Sequence, residues 1–230
     1  MTRVAPPASN GTFDQVLTNA GSKIDRGPSF GDVATTPGGL DIVNTLRAER
    51  EALVHLLTGL SEVEWRCETE CPAWSVQGIA TDLIGDDLSL VSRQRDGAPS
   101  GLRQIAPSHP EPKFLELLNV FNEGWVTTAA FFSSSVVVEL LVMTGKWTAD
   151  FYGQQDPSAL GEPVFWAGPD PAPYSKIAQR EYGERGLHHM QIARATGHRG
   201  PVDEFLRGHA TAPPVAFGSC KLDPSVSPPI

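Results

Sequence analysis

Apolar residues recur at helical spacing in five stretches of this chain, separated by segments rich in polar residues, Pro and Gly. From Leu40 to Leu60, the residues Val43, Leu46, Leu53, Leu57 and Leu60 fall mostly on one stripe. That pattern predicts a first helix with Arg47, Glu49, Arg50 and Glu51 on its exposed side. His55 lies in the same helix and reads as a surface residue. Ser61–Glu64 has the spacing of a capped turn, and Pro72 marks a loop. Ser75 then reads as the N-cap of a second helix carrying Val76, Ile79, Ala80, Leu83, Ile84, Leu88 and Val91. Asp82 sits in the middle of that series, with Asp86 and Asp87 one turn later. These acids read either as a solvated face or, for Asp82, as a side chain turned into a pocket.

The Gly, Pro and Ser density of Asp96–Pro112 predicts a loop. Phe114–Phe132 and Val136–Phe151 follow as a third and a fourth helix joined at Ser133–Ser135. Leu115, Leu118, Phe121, Trp125 and Ala129 repeat every three or four residues, as a core stripe requires. Gly161–Pro173 holds too much Pro and Gly for a helix, and Val164–Trp166 within it reads as a short extended piece. Tyr174–Gly197 is the fifth helix, apolar or aromatic at Ile177, Tyr182, Leu187, Ile192 and Ala195 and stopped by Gly197. Val202–Arg207 suits one or two further turns. The ends are weakly periodic, so the predicted organisation is a flexible leader over 1–39, a helical domain over 40–207 and a flexible tail over 208–230.

Composition narrows the partners. The 230 residues carry a formal net charge of −9 with no basic run, which excludes nucleic acid and anionic membrane surfaces as expected partners. Trp125–Thr144 contains one charge, Glu139, but three serines break it, so it reads as two core helices rather than a membrane span. Cys67, Cys71 and Cys220 form no disulfide-framework spacing, and the first residues lack a hydrophobic signal core. The expectation is a reduced, cytoplasmic protein. Cys71 reads as a packed thiol in preference to a nucleophile.

The candidate chemistry lies in the fifth helix. Glu184 and His188 stand four residues apart, on one helical face, where a carboxylate and an imidazole can converge on one divalent ion. Exposed Glu and His at that spacing are more often a solvated face. A third ligand is therefore needed, and Asp82 on the second helix is the candidate.

Three passages resemble the DinB-like superfamily, and in particular the N-terminal metal-binding domain of mycothiol-dependent maleylpyruvate isomerases. They are EWRCETECPAWSVQGIATDL (Glu64–Leu83), PVFWAGPDPAP (Pro163–Pro173) and Arg180–Gly197, where Arg-Glu-Tyr-x-Glu-Arg-x-x-His precedes Ile-x-x-Ala-x-Gly. The likeness spans about residues 40 to 205. It implies an all-α fold, an up-down four-helix bundle with disordered N- and C-terminal tails. It also implies a metal site of Asp82, Glu184 and His188, with Asp82 where the family carries a His and Gly186 where relatives commonly carry Trp. Zinc is the metal that the family implies, with Mn, Fe or Ni as other candidates, and Asp in place of His hardens the site toward oxygen-preferring ions. Mycothiol is the implied co-substrate, so the expected partners are a small-molecule thiol and a substrate, in a thiol-dependent isomerase or transferase. The family's additional C-terminal domain is not expected in a chain of this length. The alternative is a non-catalytic helical-bundle binding protein with a degenerate metal site.

Overall fold

Three of the long helices start where a polar side chain takes one of the first free backbone N–H groups. The computed structural model describes residues 41–71, 74–105, 114–162 and 171–198. Asp41 accepts from the Asn44 backbone N–H and starts α1, Ile42–Thr58. Ser75 accepts from Gly78 N–H and starts α2, Val76–Leu90. Phe114–Ala129 forms α3, and Ser133 accepts from Val136 N–H to start α4, Ser134–Gly153. The last, α5, runs Tyr174–Thr196 and ends on Gly197 at φ 69°, a left-handed C-cap in which a side chain would be strained.

The expected helices are therefore all present, with ends displaced by a few residues. Leu40 lies outside the described residues, and α1 begins at Ile42 because Asp41 serves as its cap. The serine junction is the break between α3 and α4 that the pattern required. The Ser61–Glu64 turn is a capping box: Glu64 Oε2 accepts from Ser61 N–H at 2.7 Å, and Glu64 N–H donates to Ser61 Oγ at 3.4 Å. A short 3₁₀ turn, Glu64–Arg66, follows. Two features were not expected in the loop after α2. A π-helical turn, Val91–Arg95, continues α2, and one turn of α-helix forms at Leu102–Ile105. The Val164–Trp166 piece, the leader, the tail and the Val202–Arg207 turn lie outside the described residues, as do Pro72 and Ala73 of the first resembling passage.

Helices α1, α2, α4 and α5 pack around one core, and α3 lies along the outer side of α2. Trp125 Nε1 of α3 donates to the Thr81 carbonyl at 2.6 Å, and Gln77 of α2 donates to Phe132 O beyond the end of α3. The end of α3 thus meets the start of α2, so these two run antiparallel.

The core has two apolar parts. Leu53, Leu57, Val76, Ile79, Leu83, Ile84, Val137, Leu141 and Ile192 form one; Leu46, Leu90, Val91, Phe151, Tyr152, Ile177 and Ala178 form the other. Helices α2 and α4 run from the first part to the second, while α1 and α5 run the opposite way. With α3 antiparallel to α2, successive long helices alternate in direction throughout. The protein is an all-α up-down bundle. Among the described residues, no helix is long and apolar enough to cross a membrane.

Candidate functional site

Asp82 lies at the middle of α2, 4% exposed, and faces α5. His188 of α5 is 7% exposed and sits between two carboxylates. Its Nε2 is 3.8 Å from Asp82 Oδ2 and 3.5 Å from Glu184 Oε1. Its Nδ1 is 2.8 Å from Gln191 Oε1. An amide oxygen at that distance can accept an Nδ1–H and orient the ring so that Nε2 faces the carboxylates. Glu184, with a side chain 36% exposed, is the edge at which the cluster meets solvent. The structure thus brings the three sequence-predicted residues together across the α2–α5 seam.

The electrostatics are those of acids crowded in a poorly solvated place. Burial pushes the Asp82 carboxyl up to about 6; His188 opposes that shift and Glu184 adds to it. One turn along, burial raises Asp86 well above the usual carboxylate range, and Asp82, Glu181 and Glu184 push it further. Glu181 is raised by burial too, against the pull of Arg185. Cys71 is a free, half-buried thiol pushed up by burial and then by Asp82 and Glu184, so it stays protonated near neutral pH and is a poor nucleophile. As the side chains stand, no group of three or more His, Cys, Asp or Glu among the described residues is gathered to hold a metal ion.

A second polar cluster crosses the bundle between its two apolar parts. Asp87 of α2, 0% exposed, lies 2.6 Å from Arg185 Nη2 of α5 and 3.0 Å from Arg50 Nη1 of α1. It also accepts from Thr144 and Thr148 of α4 at 2.8 and 2.9 Å. Arg50 donates in addition to the Leu141 carbonyl at 2.9 Å, and Arg185 reaches Glu181 at 3.5 Å. Burial alone would raise the Asp87 carboxyl, but Arg185, Arg50 and the two threonines hold it below the usual range. Beside this layer, His189 Nδ1 is 3.3 Å from Glu49 Oε1, with both residues buried.

These positions correct the sequence reading. Glu49 and Arg50 were expected on the exposed side of the first helix and are buried, whereas Arg47 and Glu51 are exposed. Asp87 belongs to the core and not to a solvated acidic face, because three helices supply donors to it. The signal was present in the spacing. Arg50 falls between Leu46 and Leu53, and Asp87 between Leu83 and Leu90, on the stripes that pack inward. Gly186 is buried, on the side of α5 turned away from Glu184 and His188.

No protein-family model matches this chain, and no curated protein matches it. A solved structure, the crystal structure of a mycothiol-dependent maleylpyruvate isomerase, is similar at 9% identity with a TM-score of 0.47. The match covers 66% of this chain and 59% of that one, so the chain spans somewhat over half the length of the protein it resembles.

Proposed function

We propose that Asp82, Glu184 and His188 form a divalent-cation site at the α2–α5 seam and that the protein uses it with a small-molecule thiol, of the mycothiol kind, in an isomerase or transferase reaction. One observation carries the cation reading: His188 presents Nε2 to two carboxylates while Gln191 fixes its other ring nitrogen. That arrangement is how proteins aim an imidazole at a metal. The motif resemblance supports the thiol and the reaction class.

The donor chemistry fits a cation. Ligands about 2.1 Å from an ion at the tetrahedral angle stand about 3.4 Å apart. The two separations here, 3.5 and 3.8 Å, exceed that by a few tenths. Asp82 is the farther partner, in keeping with a side chain shorter than the His of the family pattern. Glu184 has solvent on one side and room to swing. A bound divalent ion would supply a positive charge that lowers the pKa of a thiol or water beside it. This chain's residues do the rest. Gln191 orients His188, the buried wall around Asp82 excludes water, and the exposed side of Glu184 marks the entrance. In the metal-free protein burial raises the Asp82 carboxyl to about 6, so it must give up its proton before it can hold a cation, and binding should weaken in the acid range.

A second reading is favoured by the absence, among the described residues, of any gathered set of three ligands. On that reading, the bundle is a non-catalytic binding protein with a degenerate site. Metal content measured by inductively coupled plasma mass spectrometry separates the two. The purified protein should hold about one equivalent of a divalent metal, lost in Asp82→Ala and in His188→Ala. Protein that stays empty after incubation with Zn, Mn, Fe and Ni would establish the second reading.

A further inference from the structure

The polar layer lies one turn from the seam and engages both helices that form it. Arg185 follows Glu184 directly in α5 and lies three residues before His188; Asp87 lies five residues after Asp82 in α2. A buried ion pair between these helices therefore acts within a turn of Glu184 and His188 and within about a turn and a half of Asp82. We propose that the Asp87–Arg185 pair, with Arg50, is a positioning device that sets the rotation and register of α5 against α2, so that Glu184 and His188 face Asp82. The proposal rests on the cation-site reading above and adds residues that touch no ligand.

Three observations support it. First, the geometry is over-determined: Asp87 is bound by Arg50, Arg185, Thr144 and Thr148, from the three other helices of the core. Apolar contacts do not specify rotation so closely, because they tolerate sliding, whereas charged hydrogen bonds have a narrow range of distance and angle. Second, Arg185 also draws on Glu181 at 3.5 Å, an acid one turn before Glu184 on the same helix. The guanidinium thus ties the acidic face of α5 to Asp87. Third, apolar packing supplies cohesion apart from the layer. Apolar parts lie on both sides of it, and it leaves Arg50 Nε and Nη2 and Arg185 Nε buried without hydrogen-bond partners. Such a layer is a poor source of stability. Its best-attested role is to select one arrangement of helices over its neighbours.

The test exploits that distinction. In Arg50→Met/Asp87→Leu/Arg185→Met the layer becomes apolar at similar volume, a change that often leaves stability unchanged or raised. The threonine hydroxyls can turn back to carbonyls of their own helix. The expected result is an unchanged or higher melting temperature together with binding of Co²⁺, titrated by its visible absorption, that is weaker by tenfold or more. A crystal structure of the same variant should show the His188 Nε2–Asp82 Oδ2 separation opened beyond 3.8 Å. Arg185→Lys, which keeps the charge but not the planar fork, should fold and weaken Co²⁺ binding about threefold or more. It decides the matter if the triple variant does not fold. Co²⁺ affinity within twofold of wild type in the folded variants, with the separation kept, would overturn the positioning role. Wild-type protein that binds no Co²⁺ would overturn the cation site alone, and the separation in the variant would still decide the role of Asp87 and Arg185.

Discussion

At Asp82 the cost of burying a carboxylate and the attraction of a neighbouring imidazole act in opposite senses, and burial wins. The consequence is a pH dependence of fixed sign. In the metal-free protein the folded state binds the Asp82 proton more tightly than the unfolded chain does, since its carboxyl rises from 3.8 to about 6. The stability that protonation contributes is complete below about pH 4 and is lost as pH rises through 6. Asp82→Asn removes that dependence. The difference in unfolding free energy between wild type and variant should fall by on the order of 2–3 kcal/mol from pH 4 to pH 7, measured by urea titration at each pH. A flat difference would mean that the carboxyl titrates normally. Asp86 and Glu181 are displaced in the same direction, so the wild-type profile should itself decline over this range. At this scale much of the site was legible: Glu184 and His188 could be paired by their spacing. The burial of Asp87, Glu49 and Arg50 was not deduced, because a charged side chain on an apolar stripe gives no sign of its partners until the helix that carries them is in place.

The helices themselves were legible because capping and periodicity are local. Asp41, Ser75, Ser133 and Gly197 each close a helix end through atoms within a few residues. The way the helices fit together was not. The α2–α3 contact depends on Gly85, where an added Cβ would lie 2.7 Å from Trp125 Cδ1 and from its Nε1. That indole is held to the Thr81 carbonyl, so it cannot retreat without losing a hydrogen bond. Gly85→Ala should cost about 1 kcal/mol net by chemical denaturation, since overpacking of about 1–3 kcal/mol outweighs the helix propensity gained. A stabilised variant would mean that α3 can shift freely on α2. The π turn at Val91–Arg95 likewise had no local cue, and nothing in the capping residues distinguishes it from a continuing α-helix.

Over the whole molecule, α4 is the element against which both α1 and α2 pack, and Leu141 at its centre is 0% exposed. Leu141→Ala should therefore cost about 2–5 kcal/mol in global unfolding and lower the melting temperature, whatever becomes of the site. A loss below 1 kcal/mol would show that the two apolar parts of the core are held together elsewhere. The sequence by itself determined the number and order of the long helices, the cap at Ser75 and the stop at Gly197, most of the inward stripes and the candidate trio of Asp82, Glu184 and His188. All of these depend on spacing along the chain or on resemblance to motifs. Only the tertiary structure decided that the core is divided by a charged layer, that Asp87 joins four helices and that His188 lies between two acids. Those facts depend on which helix faces which, at distances of 3 to 4 Å, where a rotation of one helix by a single residue exchanges every partner.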